Sequence, residues 1–422
     1  MSTIEIVYEG DGGVWVVGRV AQRGSEVFVE YTDEHLASGA DLAPLHHPLT
    51  ERSRRFSGTN PDHLPGLLAD AGPDSWGRSV LRRDMRLNGV ERPGPLAMLA
   101  WLGRRTMGAL TFRPVEGPEV PAATLVDLDR MQGEALRLLS GDGGHDLAAA
   151  QVARAAGASA GGARPKITAA FSVDGELVVD SGNLPAGAVP WLVKFHSPDD
   201  SAYLSAIEAT YLQMARSAGI TTCEHRLLDA PSGTRYLAVR RFDRRAVPNA
   251  QPHRIHMATA AGLLEAYPER GQHVSYDDII RLTRYVTGDQ QDTAELVRRA
   301  VFNVVAHNRD DHARNTSYLW TPGDGWHLAP AYDLTHSMGP RPVFAANRPG
   351  EHYLDVAGKG TDILRADLIG LHQPAGMAAA EVSDMIDAAL DAVGTWSALA
   401  SANGVRDDII ERTAQTLPAL TS

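Results

Sequence analysis

The sequence predicts an α+β fold in two unlike halves, strand-rich towards the N-terminus and all-helical towards the C-terminus. Three observations carry that expectation. Up to about residue 245, short β-branched and aromatic runs alternate with Gly, Asp and Pro punctuation, the pattern of strands and turns. Beyond about residue 250, apolar residues recur mainly at helical spacing, on one face of each segment. A length of 422 residues also exceeds the size at which one core usually stops growing, so more than one domain is expected.

In chain order, "IEIVYEGDGGVWVVGRVAQRGSEVFVEYT" holds three strand-like runs separated by Asp11-Gly12-Gly13 and Arg23-Gly24-Ser25, an antiparallel meander. Residues 64–102 read as helix in pieces, broken at Gly72-Pro73, and "GALTFRPV" at 108–115 reads as a returning strand. The Pro-rich "RPVEGPEVPAA" closes a first unit, residues 1–118. A second unit, 119–245, holds a helix around 123–139, a Gly- and Ala-rich stretch, and strands at "KITAAFSV", "ELVVD" and "PWLVKFHS". An amphipathic helix, "SAYLSAIEATYLQMARSAG", then stops at Gly219, and "RYLAVRRFDR" closes a mixed sheet. The remainder, 246–422, is expected to be helical, from "HMATAAGLLEAY" through "TAELVRRAVFNVVAHN" to "VRDDIIERTAQTL", with a strand-turn-strand at "TSYLWTPGDGWHLAP".

Composition narrows the class. Hydrophobic content of 43% and charged content of 22% are globular values, and no apolar run approaches the roughly 20 residues that span a bilayer. "MSTIEIVYEGDGG" lacks a basic, then apolar, secretory leader, and the single Cys223 cannot form an internal disulfide, so the cytoplasm is the expected compartment. A net charge of −12 disfavours nonspecific binding of nucleic acid. The densest basic runs, "ERSRRF" at 51–56 and "RRFDRR" at 240–245, are expected to be solvated surface.

Chemistry concentrates in "AHNRDDHARNTSYL". Asp310 and Asn315 stand in Asp-x4-Asn spacing, and Asp333 follows 18 residues later in "LAPAYDLTHS". In phosphoryl transfer one carboxylate orients an attacking hydroxyl, while a second carboxylate and an amide hold Mg²⁺ against ATP; protein kinases use this spacing. Asp310 is then catalytic, and Asn315 and Asp333 are Mg²⁺ ligands; the competing reading is a polar loop in which Asp310 or Asp311 merely caps. His312 is read as a structural hydrogen-bond partner. Upstream, "GASAGGARPK" sets Gly161, Gly162 and Lys166 ahead of a strand, a phosphate cradle or a plain linker, and the strict P-loop pattern is absent. Lys194 sits among apolar residues in "PWLVKFHSP" and needs an anionic partner, either ATP phosphates or Glu208 on the next helix. Phe242 in "VRRFDR" falls where a hinge would lie, packing on adenine or simply in the core.

"SAGGARPKI", "WLVKFHSP", "VRRFDR", "HNRDDHARN" and "APAYDLTHS", in that order, resemble the HipA-type serine/threonine kinases, the toxin half of HipBA toxin–antitoxin modules. "GLLADAGPDSWGRSVLRR" and "GALTFRP" are similar to that family's N-terminal part, so the resemblance spans nearly the whole chain. It implies a bilobal, protein-kinase-like fold using ATP and Mg²⁺, with Lys194 and the Gly-rich loop on the nucleotide. It also implies autophosphorylation of that loop's serine, here Ser159, which would expel the loop by charge and bulk. A helix-turn-helix HipB-like antitoxin that binds operator DNA, and a protein substrate such as an aminoacyl-tRNA synthetase, are the implied partners. The sequence departs from the family at Arg240, where a glutamate is frequent, which removes side-chain recognition of adenine there.

Three other classes compete. A small-molecule phosphotransferase of the aminoglycoside type shares the Asp-x4-Asn logic but not "DSWGR" or the loop serine. A kinase-like corepressor of a DNA-binding antitoxin would not need the full catalytic set. A His/Asp metal hydrolase would need ligand spacings that are absent here.

Overall fold

The computed structural model describes residues 2–57, 62–117, 124–140, 164–267, 272–337 and 350–417. Its first sheet runs β4-β3-β2-β1-β5, from β1 (Ser2–Gly10), β2 (Gly13–Arg23), β3 (Glu26–Tyr31), β4 (Ser53–Phe56) and β5 (Leu110–Arg113), antiparallel throughout. The β1–β2 turn needs glycine, because Gly12 and Gly13 take φ of +90° and +132°. Four helices accompany this sheet: α1 (Asp33–Ser38), α2 (Gly66–Ala69), α3 (Ser75–Leu87) and α4 (Pro95–Leu102). The break at Gly72-Pro73 ends one helical piece, and Asp74 starts the next as an N-cap, its Oδ1 accepting from Gly77 N at 2.7 Å.

The second sheet runs β7-β6-β8-β10-β9. Its strands are β6 (Lys166–Phe171), β7 (Leu177–Val179), β8 (Val189–Lys194), β9 (His225–Asp229) and β10 (Arg235–Arg240). Every pairing is antiparallel, which corrects the expected mixed sheet: the strands are joined by turns and by a helix that returns along the sheet. Period-two alternation divides its faces. Trp191, Val193 and Phe195 pack against Met131 on α5 (Leu128–Ser140) and against Trp76 and Val80 on α3. Each buried large apolar side chain contributes roughly 1.5–3 kcal/mol. Leu192, Lys194 and Val239 face the other way, into a cleft.

Residues 246–422 are not all-helical. β11 (Arg244–Arg245) pairs with β12 (His253–Arg254), and β13 (His256–Thr259), β14 (Ser317–Thr321) and β15 (Gly325–Leu328) form a third antiparallel sheet. "HMAT" is therefore strand, and helix α7 (Ala260–Leu264) starts only after it, because pairing with β14 overrides the helical propensity of this Ala-rich stretch. The longer helices are α6 (Leu204–Ser217), which precedes β9, then α8 (Tyr276–Thr287) and α9 (Gln290–Val305). Towards the C-terminus lie α10 (Arg365–Ile369), α11 (His372–Ala375), α12 (Ala379–Gly394), α13 (Trp396–Ala402) and α14 (Asp407–Thr416).

One apolar cluster joins Ile6 and Phe112 of the first sheet to Tyr211 on α6, Phe302 on α9 and Trp396 on α13. The first sheet thus shares its core with the C-terminal helices. The approach between α2 and α7 is close enough to exclude side chains: a Cβ on Gly66 would lie 1.9 Å from the Gly262 carbonyl oxygen.

Candidate active site

The cleft lies against the face of the second sheet opposite Trp191 and Val193. Lys166, Lys194, Phe242, Tyr332 and Asp333 line it. Lys194 reaches it because β8 points every second side chain that way, and β6 sets Lys166 directly opposite Lys194 in the pair.

The Lys194 ammonium bonds to Glu208 on α6 and to Asp333 Oδ1 at 2.6 Å. Burial alone would push this ammonium down, but the carboxylates of Asp333 and Glu208 outweigh it and raise it above the ordinary lysine range. Burial likewise opposes ionisation of Asp333, yet Lys194, Lys166 and Arg164 hold its carboxyl well below the usual range. Asp333 has three cations nearby while Glu208 leans mainly on Lys194, so burial leaves the Glu208 carboxyl raised. Asp333 also adopts φ +57°, a left-handed conformation that is uncommon outside glycine and clusters at functional sites.

The loop after α9 holds the other half. Asp310 has a half-exposed side chain, its Oδ1 3.9 Å from His312 Nε2. Asn315 Nδ2 donates to the Asp310 carbonyl oxygen at 2.8 Å, and its buried Oδ1 has no hydrogen-bond partner among the described residues. Asp311 is quite different. It is fully buried and accepts from Tyr276 Oη at 2.6 Å, His352 Nδ1 at 2.8 Å and Tyr353 N at 2.9 Å. Below it, Asn303 Nδ2 donates to Tyr276 Oη at 3.0 Å and Asn308 Nδ2 to Asn303 Oδ1 at 2.9 Å. Asp311 is thus the post on which the loop is built, and Asp310 is the group left facing outward. The two stretches are tied together because the Tyr332 hydroxyl donates to the Arg314 carbonyl oxygen at 2.6 Å.

Phe242 lines the cleft and lies 5.4 Å from the Tyr332 ring. Its neighbours overturn the solvated reading of "RRFDRR". Arg241 and Arg244 are buried, both bonding to Asp243 Oδ2, at 2.8 and 2.7 Å, with Arg241 also on Asp180 at 3.0 Å. Arg244 and Arg254 then donate to the Thr106 carbonyl oxygen at 2.7 and 3.3 Å, and Gly108 N donates to Asp243 Oδ2 at 2.8 Å. These guanidinium groups clasp the loop before β5 to the segment carrying Phe242. "ERSRRF" does face solvent, its arginines paired with Asp33, Glu51 and Glu26.

Ser159, Gly161 and Gly162 lie outside the described residues. Two groups escaped the sequence reading. Asp74 forms a buried ion pair with Lys166 at 2.7 Å, and Asp70 accepts from Thr259 N at 2.6 Å beneath α7. Asp74 carried a visible signal, an acid directly before a helix, but that signal speaks only for capping.

Two family models divide the chain between them: the HipA-like C-terminal domain matches residues 158–397, and the HipA N-terminal domain matches residues 12–113. The chain belongs to the HipA family. Among curated relatives, the protein named "Putative kinase Y4mE" of Sinorhizobium fredii is 27% identical over 344 residues, 77% of each chain. "Putative kinase Y4dM" of the same organism is 27% identical over 305 residues, 69% of this chain and 65% of that one. A chain in the solved complex of the Shewanella oneidensis MR-1 toxin–antitoxin system HipA, HipB and its operator DNA shares the fold, with a TM-score of 0.69. That match covers 98% of this chain and 95% of the other at 18% identity. No helix among the described residues is long and apolar enough to cross a membrane.

Proposed function

We propose that this HipA-family chain is an ATP- and Mg²⁺-dependent serine/threonine protein kinase of the toxin type, with a bilobal layout and a cytoplasmic setting. The observation that carries the reading is Lys194 Nζ held between Glu208 and Asp333 at the cleft that Lys166 and Phe242 also line. A kinase needs an ammonium fixed from both sides against the phosphates, and a carboxylate kept ionised beside it. In this reading the second sheet forms the N-terminal lobe (119–245), and the elements from about 246 onward form the C-terminal lobe.

Lys194 and Lys166 would bind and orient the phosphates, and Phe242 would pack against the base. Asp310, its side chain half-exposed, would accept the proton of the attacking hydroxyl at its carboxylate. The donor set fits a hard divalent cation, because Asn315 Oδ1 is buried without a partner among the described residues and Asp333 is an ionised carboxylate. Asn315 and Asp333 would hold Mg²⁺, which supplies charge neutralisation along the phosphates when bound. Ser159 is the proposed autophosphorylation site, Gly161 and Gly162 belong to the loop over the nucleotide, and a translation protein such as an aminoacyl-tRNA synthetase is the proposed substrate. A HipB-like antitoxin would neutralise the kinase and supply its only contact with DNA, in keeping with the net charge of −12.

The test is intact mass after incubation with Mg–ATP. A gain of one phosphate, lost in Asp310→Asn and in Ser159→Ala, supports the reading; a gain that persists in Ser159→Ala refutes the Ser159 assignment while leaving the kinase activity. An unchanged wild-type mass, with no transfer to any added protein, refutes it.

A further inference from the structure

We infer that Asp74, in the N-terminal part of the chain, is a positioning residue for the nucleotide site and holds the Lys166 ammonium on the cleft. This inference rests on the kinase reading above. β6 and β8 place Lys166 and Lys194 directly opposite each other, and like charges in that arrangement repel unless each has its own counter-ion. Lys194 has Glu208 and Asp333. Lys166 has Asp74 as a counter-ion, 92 residues earlier, with Nζ 2.7 Å from Oδ2 and side chains only 5% and 1% exposed.

The geometry fixes this pair from both ends. Asp74 Oδ1 is held by Gly77 N as the cap of α3, which leaves Oδ2 to face the lysine. Trp76, two residues on, donates from Nε1 to the Lys166 carbonyl oxygen at 3.2 Å, so main chain and side chain of Lys166 are gripped by the same helix start. That helix is itself anchored, since Trp76 and Val80 lie in the core beneath the second sheet. Without the Asp74 charge, Lys166 would turn towards Asp333, whose carboxylate already feels it. It would then compete for the group that the metal and Lys194 need.

Asp74→Asn isolates this role, because asparagine caps a helix as well as aspartate does but carries no charge. Displacement of a fluorescent ATP analogue from the full chain, with Mg²⁺ titrated, should show about tenfold weaker nucleotide binding and a higher Mg²⁺ requirement. Turnover at saturating Mg–ATP should change far less than KM. Lys166→Met should weaken binding in the wild-type chain but add nothing to Asp74→Asn. Asp74→Ser, a second uncharged cap, should behave alike if the asparagine variant fails to fold. Unchanged binding in a folded Asp74 variant, or additive effects of the two substitutions, overturns the proposal alone. A wild-type chain that binds no Mg–ATP overturns it together with the kinase reading.

Discussion

Adjacent aspartates in the loop after α9 should respond in opposite ways to the same substitution. In Asp311→Ala, Tyr276 Oη, His352 Nδ1 and Tyr353 N all lose a buried acceptor made at 2.6–2.9 Å. A buried donor left unsatisfied costs about 1–3 kcal/mol, so three give a gross loss of about 3–9 kcal/mol. Water entering the vacated space brings the expectation to about 3–5 kcal/mol, the usual loss when one partner of a buried pair is removed. Asp310→Ala removes a side chain that is 43% exposed and 3.9 Å from His312 Nε2, and should cost no more than about 0.5 kcal/mol. Its effect on phosphoryl transfer should instead be about 100-fold or greater, the usual contribution of a positioned base. Urea denaturation followed by tryptophan fluorescence measures the first quantity and incorporation of labelled phosphate the second. The reasoning is refuted if Asp310→Ala destabilises as much as Asp311→Ala. It is refuted equally if Asp310→Ala labels normally while a folded Asp311→Ala does not.

Gly66→Ala would drive a Cβ to 1.9 Å from the Gly262 carbonyl oxygen and should destabilise by at least about 1–3 kcal/mol, read as a lower urea midpoint. Asp243→Asn removes a counter-ion shared by Arg241 and Arg244 and should cost about 3–5 kcal/mol; a neutral result would mean that the clasp carries no stability. Burial lowers His256 to about 4 from 6.5, so the folded state binds fewer protons than the unfolded state between those values. The stability this represents is present above pH 6.5 and lost as pH falls towards 4, about 3 kcal/mol in all. Urea midpoints across that range should fall less steeply in His256→Gln, and identical slopes would contradict the assignment.

What the sequence made legible is mostly local. The meander shows itself because Asp11-Gly12-Gly13 is a turn that demands positive φ, and β8 shows itself through alternation around Lys194. The Lys194–Glu208 contact spans only 14 residues, one strand and the start of the next helix. Contacts that span the chain left no comparable trace. β13 reads as helix because the alanines that follow it favour helix and its partner β14 lies some 60 residues away. Asp74 is fully accounted for by capping, so nothing in its neighbourhood announces Lys166. "RRFDRR" looks like surface because, beyond its own Asp243, the acceptors of Arg241 and Arg244 are the distant Asp180 and the carbonyl groups of Thr106 and Gly108, which carry no side-chain signature. Asp310 and Asp311 are indistinguishable by type; only spacing to Asn315 favours the first.

The register of β6 against β8 makes strand length, more than composition, the vulnerable quantity at the cleft. Side chains alternate along β6, so one residue inserted between Ile167 and Ala170 would turn Lys166 from its place opposite Lys194 towards Trp191 and Phe195. The same insertion in the turn at 172–176 would leave every pairing with β8 in place. Lengthening the chain by one residue is thus harmless or ruinous depending on a shift of a few positions, even though neither location touches a proposed catalytic group.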